Sequence, residues 1–183
     1  TADAKSSISL AKGSLLSMQH QDDLNLTTCN LDEIELHLYK ISAQDLHDNN
    51  LYSYIQNQNL DNYKVQKLIK NNAVFLGKKQ LSLPKRLNEN INSKINFKEL
   101  GAQDNHGIFL LLAAKPDADF NDPFFNDDAL YLSRVIMISN IGISAYKGDD
   151  GLTIALRSLK TAAPYSGIKV SLIAANNEIL AEE

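Results

Sequence analysis

The chain contains 183 residues, of which 44% are hydrophobic and 22% are charged, a composition typical of a globular protein. The formal net charge of −4 does not favour binding to nucleic acid or to anionic lipid. No apolar run approaches the ~20 residues of a membrane-spanning helix, and the single cysteine, Cys29, excludes an internal disulfide.

Strand patterns dominate the first forty residues. Short apolar patches at residues 6–10 and 14–18 predict edge strands, and Leu24–Thr28 alternates between apolar and polar residues. The clearest strand is Glu33–Tyr39, because every second residue is apolar, which predicts one face in a core and the other in solvent. The expected inward residues are Ile34, Leu36 and Leu38, and the expected outward residues are Glu33, Glu35, His37 and Tyr39.

The pattern changes between residues 44 and 70. Apolar residues in Gln44–Gln58 are spaced by mixed intervals, which predicts a short helix or a packed loop, and Tyr63–Ile69 is also compatible with a helix. Strand patterns return at Ala73–Leu76, Gln80–Leu83 and Ile91–Phe97.

A buried strand and an acidic segment follow. Gly107–Ala114 is almost wholly apolar, which predicts a strand covered on both faces. Segment 117–128 is acidic, and we place a domain boundary near Asp128 because clustered Pro and Asp residues interrupt strand pairing.

The C-terminal part, Arg134–Glu183, predicts further strands separated by turns. Gly and Asp in Lys147–Gly151 tolerate the backbone angles of a hairpin turn. The predicted strands and the second turn are Arg134–Ile138, Ile141–Tyr146, Leu152–Leu156, Ile168–Ala174 and the turn Asn176–Asn177.

Short strands of period two with a turn every eight to twelve residues are typical of antiparallel β-sandwiches. The predicted fold is mainly β, with two consecutive antiparallel β-sandwich domains. Residues 1–128 would form the first domain with a short helical insertion, and residues 129–183 the N-terminal part of a second, truncated domain.

The acidic segment offers one candidate metal site. Asp117, Asp119 and Asn121 alternate, and Asp128 lies at position twelve of the same window. A calcium loop of the helix–loop–helix type has Gly at position six and a bidentate Glu at position twelve. Position six here is Asp122 and position twelve is Asp128, so we interpret the segment as a solvated interdomain linker and predict no metal site.

The remaining candidate chemistry rests on histidines and one thiol. His20, His37, His47 and His106 lack the spacing of a zinc site, and no second cysteine accompanies Cys29. We interpret His37 as a surface residue and Cys29 as a small packed side chain. The sequence therefore predicts no catalytic, cofactor-binding or metal-binding residue.

The C-terminal pattern resembles the start of a macroglobulin-type domain of the bacterial alpha-2-macroglobulin family. Asn140 replaces the usual Asp of that pattern. The matching residues are Ile138-Ser-Asn-Ile-Gly142, Gly151-Leu152, Ser158-Leu159, Pro164, Gly167, Val170-Ser-Leu172 and Asn176-Asn177.

The first half resembles the preceding domain of the same family. Lys40 stands where the family has Arg, and Phe109 where it has Tyr. The counterparts are Asn30, Leu38-Tyr-Lys40, the helical excursion around Leu46–Ile55, and Gly107-Ile-Phe-Leu110.

The resemblance implies a non-catalytic scaffold fragment of a periplasmic, broad-range protease trap that serves bacterial defence as an endopeptidase inhibitor. The parent would be an inner-membrane lipoprotein, and its leader would lie outside this sequence, whose first residues do not form a signal peptide. The partners implied are neighbouring domains of the parent and, through it, target proteases. The family's bait loop and its thioester, a Cys followed two residues later by Glu-Gln, do not occur in this sequence.

Two other classes of function remain open, and the predicted truncation carries one structural expectation of its own. An adhesin or carbohydrate-binding sandwich would use exposed aromatic residues such as Tyr52, Tyr54 and Phe124-Phe125 as a platform. An enzyme would use Cys29 as a nucleophile. A truncated second sheet leaves edges uncovered, so we expect dimerisation through that sheet or a loosely ordered C-terminus.

Overall fold

The computed structural model describes residues 5–11, 15–17, 24–42, 54–55, 59–103, 106–116, 118–120, 122, 129–149, 151–174 and 178–183. Within these ranges the chain is mainly β-structure. The helix α1 spans Asn62–Asn72, and a 3-10 turn spans Lys98–Leu100. The strands are β1 (Ser7–Leu10), β2 (Leu15–Ser17), β3 (Asn25–Cys29), β4 (Glu33–Ile41), β5 (Ala73–Ser82), β6 (Asn90–Lys94), β7 (Gly107–Ala114), β8 (Tyr131–Ser139), β9 (Ile141–Gly148), β10 (Gly151–Ser158), β11 (Ser171–Ile173) and β12 (Ile179–Glu182).

The N-terminal strands form two sheets that pack face to face. The larger is five-stranded in the order β2-β8-β7-β4-β5, and the smaller is three-stranded in the order β1-β3-β6. The neighbours pair antiparallel except β2, which runs parallel to β8. The predicted mainly β, sandwich-type fold is therefore confirmed.

An inner core fills the space between the two sheets. The residues that the alternation of β4 placed inward, Ile34, Leu36 and Leu38, are all at most 2% exposed. Phe97 and Phe109 stack within it with ring centroids 5.5 Å apart. Its other buried members include Leu26, Ile95, Leu100, Leu111, Leu132, Ile136 and Ile138.

The opposite face of the five-stranded sheet is covered over much of its area, which corrects the predicted solvent exposure of Glu35, His37 and Tyr39, whereas Glu33 is exposed as predicted. Tyr39 is 6% exposed, and the Glu35 and His37 side chains are each 13% exposed. An outer core covers this face, built from α1, from residues 54 and 60, and from Phe120. Its buried members include Ile41, Tyr54, Leu60, Val65, Leu68, Leu110, Leu112, Phe120, Tyr131 and Val135.

The helix that covers this face begins at a capped terminus. The Asp61 carboxylate accepts a hydrogen bond of 2.9 Å from the backbone N–H of Lys64, which satisfies one of the free donors of the first turn. Val65 and Leu68 on the buried stripe of α1 pack into the outer core. The helix predicted for Tyr63–Ile69 is thus confirmed, and Tyr54 and Ile55 are helical in the otherwise undescribed segment 44–58.

The structure joins two predicted strands into one and shows the pairing of a third. Ala73–Leu76 and Gln80–Leu83, except for Leu83 itself, belong to one continuous strand, β5, which runs along the sheet edge. Arg134–Ile138, which the sequence assigned to a second domain, lies in β8, which pairs with β7 inside the first sheet. The boundary near Asp128 remains a prediction, and the pairing of β8 favours a division after residue 139.

The edge of β8 is secured by the segment that precedes α1. The backbone N–H of Ser133 donates to Asn59 Oδ1 at 2.6 Å, and the N–H of Leu60 donates to Ser133 Oγ at 2.6 Å. The Tyr131 hydroxyl donates to the carbonyl of Leu60 at 2.8 Å. The first bond satisfies the backbone N–H of Ser133, and the other two satisfy the N–H and the carbonyl of Leu60, so residues 59 and 60 are fixed against β8.

The C-terminal residues form two antiparallel hairpins. The register of β9 and β10 runs from Ile141 opposite Ser158 to Gly148 opposite Gly151, which confirms the hairpin predicted at Lys147–Gly151. β11 pairs with β12. The predicted turn Asn176–Asn177 lies outside the described residues.

Candidate functional site

Cys29 is part of the sandwich and is 7% exposed. It stands in β3 between Ser7 of β1 and Asn90 of β6. Burial between paired strands gives a thiol little access to a reagent. The structure therefore agrees with the interpretation of Cys29 as a packed side chain.

His37 is a partly buried residue, which corrects its interpretation as a surface residue. Its Nε2 lies 2.7 Å from Glu35 Oε1, and its ring makes edge contacts with Phe120 and Phe75 at centroid distances of 5.5 and 6.3 Å. Lys78 Nζ lies 3.0 Å from the other carboxylate oxygen of Glu35. Burial raises the pKa of Glu35, but hydrogen bonds from Lys78 and His37 outweigh it and leave this pKa lowered.

The other predicted candidates do not converge. His106 is exposed beside β7, and His20 and His47 lie outside the described residues. In segment 117–128, the structure describes the acidic residues Asp119 and Asp122. Asp117, Asn121 and Asp128 lie outside the described residues. Across the described ranges, no three His, Cys, Asp or Glu side chains are grouped to hold a metal ion.

Asn140 is the centre of a polar junction between β8 and the first hairpin. Its carbonyl Oδ1 accepts a 3.0 Å bond from the N–H of Lys160, and its Nδ2 donates to the hydroxyl of Tyr165 at 2.8 Å. Its backbone carbonyl accepts from the N–H of Leu159 at 2.8 Å. The buried Ser158 hydroxyl lies 3.4 Å from Oδ1. The sequence identified Asn140 only as a substituted turn residue, because its partners are 18 to 25 residues away.

An open apolar groove of about 790 Å³ lies between the two hairpins. Leu152 is 49% exposed and Leu172 is 43% exposed, so the described residues leave much of the apolar surface of the groove uncovered. Its apolar lining includes Leu152, Ile154, Leu156, Ile168, Val170 and Leu172.

One rim of the groove carries a charged pair. Glu182 Oε2 lies 2.7 Å from Lys169 Nζ, and Ser171 donates to Glu182 Oε1 at 2.8 Å. Hydrogen bonds from Lys169 and then Ser171 lower the pKa of the Glu182 carboxyl. An apolar concave face with a polar rim is suited to packing against another element of protein.

In the described part of the chain, no helix has the length and apolar character to cross a membrane.

Family profiles match both parts of the chain. Residues 9–122 match the bacterial alpha-2 macroglobulin MG2 domain, and residues 138–183 match the bacterial alpha-2-macroglobulin MG3 domain. No curated protein sequence gives a significant match.

Solved structures share the fold at low sequence identity. A fragment of native alpha-2-macroglobulin from Escherichia coli, spanning domains NIE-MG1, is 20% identical with a TM-score of 0.65, and the match covers 100% of this chain and 84% of that one. Trypsin-activated alpha-2-macroglobulin from E. coli is 19% identical with a TM-score of 0.71, covering 96% of this chain and 11% of that one. A Salmonella alpha-2-macroglobulin mutant is 18% identical with a TM-score of 0.59, covering 100% and 10%. The chain thus corresponds to most of the NIE-MG1 fragment and to about a tenth of the other two chains.

Proposed function

We propose, from the premise that this chain belongs to the bacterial alpha-2-macroglobulin family, that it is a non-catalytic scaffold segment of a protease trap. The observation that carries the proposal is the match of its two parts to two consecutive domains of that family. Cys29 is buried and packed between strands, and the partly buried His37 is paired with Glu35, so both side chains have structural partners. The parent would inhibit endopeptidases in the periplasm as an inner-membrane lipoprotein.

The groove between the hairpins supports a role as one link in a longer chain of domains. Exposed apolar residues such as Leu152 and Leu172 are stabilised when covered, at about 25 cal/mol per Å². In the parent, we infer that further strands of the same domain cover this face. Neighbouring domains would then be held in fixed order through junctions such as that at Asn140.

A trapping assay on the parent protein tests the proposed function. Incubation with trypsin should leave cleavage of a small peptide substrate intact and suppress cleavage of casein, because a trapped protease admits only small molecules. The 183-residue chain alone is the control and should suppress neither. Casein cleavage that continues at full rate with the parent, or inhibition by the isolated chain, would contradict the proposal.

For the isolated chain, the open groove supports self-association or a loosely ordered C-terminal part. Leu152→Glu places a charge in the groove and should shift light scattering towards the monomer, whereas Thr153→Glu, on the opposite face of β10, should not. A compact monomer with uniform hydrogen-exchange protection beyond Arg134 would contradict both forms of this expectation.

One of the aromatic residues proposed for carbohydrate binding is buried. Tyr54 is 6% exposed and packs in the outer core, so its ring is not available as a platform. Tyr52, Phe124 and Phe125 lie outside the described residues. Loss of glycan binding on their substitution would revive this alternative.

A further inference from the structure

Arg134 is a charged residue on the inner face of β8. Along this strand Leu132 and Ile136 belong to the inner core, and the alternation of a strand puts Arg134 on the same face between them. It stands opposite Leu111 of β7, another inner-core residue. Only 4% of Arg134 is exposed.

The buried guanidinium lacks a counter-charge in the described part of the chain. Its Nε is fully buried and makes no hydrogen bond there. Burial lowers the pKa of Arg134, and no acidic side chain among the described residues opposes that effect. A desolvated, unpaired cation is costly, whereas one that meets a carboxylate or another oxyanion recovers much of that cost.

Arg134 lies towards one side of the sandwich. β8 is next to the edge of its sheet, and the described residues of β2 pair with Met137–Ser139 of β8. In the opposing sheet, β8 contacts β1, which is itself an edge strand. Arg134 thus lies at the lateral margin of the core.

We propose that Arg134 is an oxyanion-binding position, which takes a carboxylate or a tetrahedral oxyanion at this margin of the first sandwich. The planar guanidinium offers paired N–H donors that match such groups in a bidentate arrangement. The oxyanion comes either from an acidic side chain of the protein or from a free ion in solution. The site is independent of the proposed scaffold function.

Anion titration of the 183-residue chain distinguishes the two sources. The Tm is measured in increasing sodium sulfate at constant ionic strength for the natural chain, for Arg134→Met, and for Arg86→Met, in which an exposed arginine is removed. Sulfate stabilises proteins generally by exclusion from their surface, so only the difference between variants counts. A free-ion site gives a saturable extra rise of about 2–4 °C that Arg134→Met abolishes and Arg86→Met retains.

An intramolecular carboxylate gives a different result. Sulfate then has no specific effect, but Arg134→Met lowers the Tm because it leaves a carboxylate without its partner, and Arg134→Lys restores part of the loss. The proposal is overturned if Arg134→Met is at least as stable as the natural chain and responds identically to sulfate. If Arg134→Met does not fold, Arg134→Lys carries the test: a Tm and a sulfate response that are both unchanged would overturn the proposal.

Discussion

The backbone crossing between Gly77 and Gly101 leaves no room for a methyl group on either residue. A Cβ on Gly77 would lie 2.8 Å from the carbonyl oxygen of Leu100, and a Cβ on Gly101 would lie 2.5 Å from that of Leu76. Gly101 also ends the 3-10 turn with a φ of 89°. The crossing holds residues 97–102 against β5, the exposed edge strand, so it links core packing to protection of that edge.

Gly101→Ala combines two costs, and the other glycines separate them. The left-handed backbone costs about 1–2 kcal/mol for alanine, and forcing a methyl group against a carbonyl costs about 1–3 kcal/mol. Gly77→Ala carries only the second cost, because Gly77 does not have a positive φ. Gly107→Ala carries a backbone cost alone, because a φ of 132° is a conformation that favours glycine and costs other residues about 1–3 kcal/mol, and the nearest atom is a flexible lysine carbon at 3.4 Å.

Urea unfolding followed by circular dichroism measures these differences. We expect Gly101→Ala to lower the free energy of unfolding by about 2–5 kcal/mol, more than either Gly77→Ala or Gly107→Ala. The slope of free energy against urea should stay constant if the native fold is kept. A Gly101→Ala variant no less stable than Gly107→Ala, or a neutral Gly77→Ala, would show that the crossing relaxes at little cost and would refute the reasoning.

Three other perturbations test the structure. Asn140→Ala should lower stability by about 1–3 kcal/mol and speed hydrogen exchange at the junction, whereas Asn140→Asp, which keeps the acceptor, should cost less; equal effects would contradict the role of Oδ1. Burial raises the pKa of Glu35, but hydrogen bonds from Lys78 and His37 outweigh this effect and leave the pKa lowered. The ionised carboxylate therefore stabilises the fold at pH values above the ordinary carboxyl pKa of ~4.3. This contribution is lost as the pH falls through the lowered value, so the Tm difference between the natural chain and Glu35→Gln should shrink between pH 7 and about pH 3; a constant difference would contradict the assignment. In the native chain, Cys29 should react with iodoacetamide far more slowly than it does in the urea-unfolded chain. Labelling of the native chain at the rate of a free thiol would show that the strands around Cys29 open.

Local pattern was enough to predict the strands and one face of the main sheet. In Glu33–Tyr39 the period of two identified Ile34, Leu36 and Leu38 as core residues, and they are buried. This succeeds because a pleated strand places every second side chain on the same face whatever it packs against. The turn at Lys147–Gly151 was predictable for a similar reason, since Gly and Asp relieve a local backbone constraint.

Only the tertiary structure decided what lies on the other face of that sheet. Helix α1 and Phe120 bury Tyr39 and His37 although their strand alternates as if half exposed. It also decided that β8 completes the first sheet and that its Arg134 faces the core. The amino-acid sequence by itself determined which stretches form strands and turns, because those depend on neighbouring residues; strand partners and the covering of each face depend on contacts between distant residues, which local patterns do not specify.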